Sequence, residues 1–213
     1  MKICFGENNQ DKIELDFNKE KINFVLLIGG TRSGKSIFHN YLYKTLSQKY
    51  SANEIGFVFL DMTQHDFYNW DSQYLLKPVI QDPSEAIKTL NELAELKTDK
   101  KIFIHIEECD MVYKDRSGIE EAFKRLNKLS NIYIVYSTSR LDKGYLGDWL
   151  SQFINLRVVF SVASESDSDF LLGNNKASRF TFPGERILAF NDKQYYCQPF
   201  SDGAAKLLCD FSL

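Results

Sequence analysis

The apolar positions of this chain fall into short continuous runs, and between the runs lie stretches with helical spacing. Phe24-Val25-Leu26-Leu27-Ile28, followed by two glycines, reads as a strand covered on both faces, since a half-exposed strand would alternate apolar and polar residues. The same reasoning predicts strands over 55–62 (IGFVFLDM), 101–108 (KIFIHIEE), 131–139 (NIYIVYSTS) and 154–162 (INLRVVFSV). Residues 35–49 place Ile37, Tyr41, Leu42 and Leu46 on one helical stripe. Residues 83–97 open with proline and an acidic first turn and align Ile87, Leu90, Leu93 and Ala94, and 117–130 reads as a further helix. Residues 2–5 and 12–17 flank the turn-forming segment GENNQD and predict a short N-terminal β-hairpin. RILAF and QYYCQPF predict a closing hairpin, and SDGAAKLLCDF a last short helix. Strands alternating with helices give an α/β fold with a mainly parallel sheet flanked by helices.

Composition narrows the class. The chain has 213 residues with no internal repeat and no low-complexity linker, which predicts one domain over 1–213. No apolar stretch approaches the roughly 20 residues that a membrane helix needs. The opening MKICFGENNQDK turns polar too early for a secretory signal. The cysteines at 4, 109, 197 and 209 have neither metal nor disulfide-framework spacing, and read as reduced thiols of a cytoplasmic protein. A net charge of −3 gives no global attraction to nucleic acid, so any DNA contact must come from a local patch or an oligomeric ring.

The chemistry is carried by Gly29-Gly30-Thr31-Arg32-Ser33-Gly34-Lys35-Ser36, a full match to GxxxxGK[ST] between a strand and a helix. Small residues let such a loop curl so that successive N–H groups point at phosphates, and the helix that follows adds its own unpaired N–H groups and positive end. Gly30, Thr31, Arg32, Ser33, Gly34, Lys35, Ser36 and Ile37 are therefore the nucleotide-binding candidates. Lys35 reaches the outer phosphates of ATP and Ser36 offers its hydroxyl to Mg²⁺. The strand 101–108 ends in Glu107-Glu108. In an ATPase of this type the first acid holds Mg²⁺ through water and the second polarises the attacking water, which makes Glu107 a metal candidate and Glu108 the catalytic base. Asp61 and Asp110 are weaker candidates, better read as cap or turn residues. Ser137, Thr138, Ser139 and Arg140 follow the fourth buried strand, where a polar group either senses the γ-phosphate or closes strand-end hydrogen bonds.

Taken together these residues resemble the motor domain of the FtsK/SpoIIIE family, within the FtsK–HerA group of P-loop ATPases. The resemblance runs from about Ile3 to Phe190, through ICFGENNQDKIELDF, FVFLDMTQ, HIEECDM, YSTSRLD and NLRVVFSVASESDSDFLLG, in the family's order and spacing. It implies a RecA-like sheet with an additional strand, in which YIVYSTS lies between the phosphate-loop strand and the HIEE strand. It also implies a ring, usually a hexamer, around double-stranded DNA or another polymer, with ATP at subunit boundaries. Ser139 would then sit beside the γ-phosphate, and Arg140, at the family arginine, would act at or near the boundary. The chain departs from the family where Glu107 replaces Asp, where Ser139 replaces Gln, and in a shorter segment between Arg125 and Ile132 that lacks an Arg. These departures bear on hydrolysis and on firing between subunits rather than on nucleotide binding. The membrane anchor, linker and winged-helix reader of full-length translocases have no counterpart here, so the expectation is an excised domain or a small stand-alone relative.

The remaining charged residues favour plainer readings. Lys124, Arg125 and Lys128 cluster on the helix 117–130, with Glu120 and Glu121 four residues before the first two, the order that favours helix ion pairs. A salt-bridged solvated face is thus preferred to a DNA contact. Lys114 and Arg116 belong to a charged loop. His39, His65 and His105 show no metal spacing, and His105, on an apolar strand, reads as a core histidine. The leading expectation is an ATPase that moves double-stranded DNA. The alternative is a degenerate nucleotide-binding module of a secretion or transfer assembly, with a protein partner and little hydrolysis. A small-metabolite kinase ranks third, because no arginine-rich lid is evident.

Overall fold

A computed structural model describes residues 1–9, 11–63, 66–67, 72–108, 115–141, 146 and 148–200. The predicted helix over 201–211 and the candidates His65, Asp110 and Lys114 lie outside the described residues. The chain opens with a hairpin, β1 (Lys2–Asn8) and β2 (Asp11–Asp16), and continues through β3 (Phe24–Ile28), α1 (Lys35–Lys49), β4 (Ile55–Asp61), α2 (Pro83–Glu95) and β5 (Lys101–Glu107). It then forms α3 (Arg116–Leu126), β6 (Ile132–Thr138), α4 (Asp148–Ser151), β7 (Leu156–Val159) and α5 (Glu165–Leu172), and closes with β8 (Arg186–Phe190) and β9 (Lys193–Cys197).

The main sheet has the order β4-β5-β6-β3-β7-β8-β9. Its first five strands are parallel, and β8 and β9 add antiparallel to the edge. Strand β6 lies between β3 and β5, as the resemblance implies. Both faces are covered, which explains the unbroken apolar runs. Side chains alternate across each strand, so Phe24, Leu26 and Ile28 of β3 enter one core with α2 and α3, while Val25 and Leu27 enter the other with α1 and the hairpin. The same parity divides β5. Ile102, Ile104 and Ile106 face α2 and α3, and Phe103 faces α1. His105 and Glu107 share the parity of Phe103 and therefore face α1.

Local signals explain the helix ends. Asp82 caps α2 by accepting from the amides of Ser84 and Glu85, each at 2.9 Å, with Pro83 in the first turn. Asp115 caps α3 through the amide of Gly118 at 2.9 Å. Helix α3 ends at Leu126, short of the predicted 130. The stripe predicted for α1 also shifts. Ile37 is exposed and Tyr41 half-buried, while Phe38, His39, Leu42, Tyr43 and Leu46 are buried. Helix α1 packs between the sheet and the hairpin, so it buries a broader face than one stripe, and that face includes a histidine and a tyrosine hydroxyl. Among the described residues no helix is long and apolar enough to cross a membrane.

Candidate nucleotide site

Parity and register assemble the site at the C-terminal ends of the parallel strands. Asp61 of β4 pairs with Glu107 of β5, and Glu107 pairs with Ser137 of β6. Ser137 in turn pairs with Leu27 of β3, one residue before the strand runs into the glycine loop. A row of polar side chains thus crosses the sheet on the α1 face, directly beneath the start of α1.

The loop itself is held by main-chain bonds. The Gly30 amide donates to Ser161 O at 2.8 Å, and the Ser33 amide to Gly30 O at 3.2 Å. From the far side, the Gly184 amide donates to Ser33 O at 2.8 Å. Gly34 adopts φ +105° and starts α1 with no side-chain cap, so the first amides of the helix face the loop without an internal partner. Thr31 and Arg32 are exposed and Ser33 is buried. Lys35 is buried, and its Nζ donates to Gly29 O at 2.9 Å and Gly30 O at 3.3 Å. Beside the loop opens a cleft of about 390 Å³ lined by Gly30 to Ser33, Ser161 to Ala163 and Phe180 to Pro183.

Gly34 cannot be replaced without cost. A Cβ there would stand 2.7 Å from Gly184 N and 2.8 Å from Gly184 Cα, both main-chain atoms, at a φ that side-chain-bearing residues rarely adopt. Gly34→Ala is expected to lower nucleotide affinity at least about 10-fold and stability by about 1–3 kcal/mol. Nucleotide titration and urea unfolding of the same variant check both parts.

The two glutamates differ sharply in placement. Glu107 is 3% exposed and directs Oε2 at His105 Nε2, 2.8 Å away, and at His39 Nδ1, 3.7 Å away. Burial raises its carboxyl above the usual range. Burial pushes His39 and His105 down to about 3, so both imidazoles are neutral. Glu108 leaves the strand with φ +40°, unusual for a glutamate, and donates its amide to Ser137 O at 2.9 Å. Its carboxylate accepts from Thr138 Oγ1 at 3.1 Å and from the Ser139 amide. Ser139 is thus joined to Glu108 through its main chain. The exposed Arg140 donates its amide to Thr138 Oγ1 at 3.0 Å. The strand-tip group therefore closes hydrogen bonds on the second glutamate.

Sequence reasoning missed Asp66. Its carboxyl accepts a hydrogen bond from exposed Ser36, and burial together with the Glu107 charge raises it. Asp66 follows the strand β4 by five residues in an irregular segment, where no periodic signal marks it. Asp61, read as a cap, does behave as one. Burial pushes it up, but bonds from the Thr63 hydroxyl and from the Phe67, Thr63 and Asp66 amides outweigh that and hold it low. The Ser36 hydroxyl and the Asp66 carboxylate are oxygen donors of the kind a hard cation such as Mg²⁺ takes, with the Glu107 charge nearby, while Glu107 Oε2 itself turns toward His105 and His39. The basic residues of α3 are engaged as expected in one case and otherwise in another. Lys124 pairs with Glu120 at 2.9 Å, but Arg125 crosses to Glu95 and Asn91 of α2 at 2.9 and 3.0 Å.

The FtsK/SpoIIIE family profile matches residues 1–174. The chain belongs to this family. The DNA translocase FtsK of Leptospira interrogans serovar copenhageni is 26% identical to it, over 87% of this chain and 23% of that protein. The FtsK of Streptococcus agalactiae is 22% identical over 84% of this chain and 27% of its own length, so the chain spans about a quarter of these relatives. Among solved structures, the cytoplasmic domain of the Thermomonospora curvata type VII secretion ATPase EccC superposes with TM-score 0.77 at 18% identity, covering 93% of this chain and 28% of that one. The pCW3 conjugation coupling protein TcpA, solved with ATPγS, gives 0.73 at 18% identity, with 97% and 69% coverage. The genome-packaging NTPase B204 of Sulfolobus turreted icosahedral virus 2, with AMPPCP, gives 0.62 at 18% identity, with 84% and 98% coverage. These likenesses establish the P-loop ATPase fold.

Proposed function

We propose that this FtsK/SpoIIIE-family chain is a cytoplasmic, single-domain ATPase motor over 1–213 that hydrolyses Mg·ATP to move double-stranded DNA, working as a ring, with a hexamer as the expected state. The observation that carries the reading is the loop Gly29–Ser36, which opens α1 with no side-chain cap while Lys35 is buried against the loop carbonyls. A triphosphate entering there replaces Gly29 O and Gly30 O as the partner of Lys35, and the amides of residues 30–36 surround its β- and γ-phosphates. The base and ribose extend toward the cleft lined by Phe180 and Phe182. Ser36, Asp66 and Glu107, the last through water, would hold Mg²⁺, and the ion would supply charge neutralisation at the phosphate oxygens. Glu108 takes the proton of the attacking water as its oxygen bonds to the γ-phosphorus and the bridging oxygen leaves with ADP. Arg140, at the family arginine, would act on a neighbouring subunit's nucleotide.

The engagement of Glu108 by Thr138 and Ser139 favours one rival, a nucleotide-binding module with little turnover and a protein or peptide partner. Steady-state ATPase activity with and without duplex DNA, alongside mass determination in solution with nucleotide, separates the two. The motor predicts turnover that rises with DNA and a ring-sized mass. Tight ATP binding with negligible turnover and no response to DNA would overturn it in favour of the module.

A further inference from the structure

Three residues from different elements meet under the nucleotide loop. His39 lies one helical turn after Lys35 on the buried face of α1, and His105 precedes Glu107 by two on β5, so all three point into the same space between helix and sheet. One ligand atom from each of His39, His105 and Glu107 lies within 4.8 Å of the others, and all three residues are buried. His105 Nδ1 is 3.0 Å from the Tyr43 hydroxyl, which leaves Nε2 directed at Glu107. Neither ring nitrogen of His39 has a hydrogen-bond partner, although the residue is completely buried. Phe67 closes the space, its ring 4.6 Å from that of His39 and 4.7 Å from that of His105.

We propose that His39, His105 and Glu107 form a binding site for a divalent first-row transition metal such as Zn²⁺, which shares the Glu107 carboxylate with the Mg²⁺ position at Ser36 and takes its other ligands from the two histidines. A core histidine ordinarily satisfies its nitrogens, and an orphaned buried polar atom is costly, so His39 is arranged for a partner other than the protein's own hydrogen bonds. The spacing fits a metal. Imidazole nitrogen and carboxylate oxygen bind zinc at about 2.0–2.2 Å, which sets neighbouring ligands of a tetrahedron roughly 3.4 Å apart. The two separations from Glu107, 2.8 and 3.7 Å, bracket that value, and the two histidine nitrogens lie within 4.8 Å of each other, so side-chain rotation must draw the imidazoles together to complete the set. Two imidazoles and one carboxylate suit zinc, iron, cobalt or manganese, whereas Mg²⁺ keeps to oxygen and water. Tyr43 supplies the outer bond that orients a ligating imidazole. Among the described residues no lysine or arginine nitrogen lies within 4 Å of Glu107, and Asp61 sits beside it in register, so a dication also offsets buried negative charge. The inference stands on this geometry alone and does not depend on the ATPase reading.

The test is titration of the chelator-treated full chain with Co²⁺ alone, without nucleotide, read by visible absorption. One equivalent should produce the strong bands of low-symmetry, nitrogen-bound cobalt, and one equivalent of Zn²⁺ should abolish them. His39→Gln should lose the bands. Tyr43→Phe removes only a hydroxyl and should weaken affinity about 10- to 100-fold. Ser36→Ala, which disables the nucleotide cation position, should keep them. Absence of the bands at one equivalent in the parent protein overturns the proposal. So does their survival at full strength in both His39→Gln and Tyr43→Phe, or their loss in Ser36→Ala, which would place the cobalt at the nucleotide. If His39→Gln fails to fold, the parent spectrum and Tyr43→Phe decide.

Discussion

Glu108→Gln is expected to lower steady-state ATP turnover by about 10²- to 10⁴-fold while leaving nucleotide bound. Glutamine keeps the shape of the side chain but cannot take a proton from water. Its Oε1 can still accept from the Ser139 amide while its NH2 donates to Thr138 Oγ1, so the fold around β5 and β6 should be untouched. The loss should therefore appear in kcat rather than in nucleotide affinity. The same contacts set the resting state of the parent protein. A glutamate at φ +40° whose carboxylate is bonded to the tip of β6 must swing away from that tip before it can reach a water at the γ-phosphate. Thr138→Val removes one of the holding bonds and should raise basal turnover and narrow its response to DNA. Turnover in Glu108→Gln at the parent rate would remove Glu108 as the base.

How much of this was legible beforehand depends on whether the signal was local. The parallel sheet followed from unbroken apolar runs, because burial on both faces leaves no polar alternation to obscure them. The phosphate loop was legible because its function fixes residue types in one contiguous stretch. The side of the sheet on which Glu107 lies was also implicit in the chain. Strand parity ties it to Phe103, but nothing local says that this is the α1 face. The failures share one cause. The α1 stripe was misplaced toward Ile37 because a helix wedged between a sheet and a hairpin buries residues on more than one side. His105 is the buried, hydrogen-bonded histidine its apolar strand predicts, and only its meeting with His39 was out of view, because packing and not sequence distance makes that neighbourhood. Asp66 was invisible because it stands in an irregular segment, and Ser139 reaches Glu108 by its amide, which every residue except proline possesses.

Arg186→Met is expected to cost about 3–5 kcal/mol of stability. In a chain of this length that is a fall in Tm of very roughly 6–20 °C. Arg186 is fully buried on the first residue of β8, and no carboxylate pairs with it among the described residues. Instead its guanidinium serves main-chain carbonyls. Nε and Nη2 donate to Phe5 O at 3.0 and 2.6 Å, and Nη1 donates to Gly184 O at 2.6 Å and Gln198 O at 3.2 Å. Its plane packs on the rings of Phe200 and Phe38, at 4.2 and 5.3 Å. Burial pushes the group down to about 10, which still leaves it charged at neutral pH. Gly6 is required beside it, since a Cβ there would meet Nη2 at 2.2 Å. Methionine fills most of the volume and avoids burying a charge, but it takes the donors from two buried carbonyls, Phe5 O and Gly184 O, each worth about 1–3 kcal/mol, and from the more exposed Gln198 O. The site feels the same change. Gly184, which Arg186 holds by its carbonyl, donates its amide to Ser33 O and packs against Gly34. Loosening that turn should weaken nucleotide binding in the folded variant, in addition to lowering its urea midpoint. Arg186→Lys keeps the charge but loses the fork that spans Phe5, Gly184 and Gln198, and should recover only part of the stability. A urea midpoint for Arg186→Met equal to that of the parent would mean that apolar packing and main-chain bonds hold the hairpin, β8 and the phosphate loop together without the guanidinium.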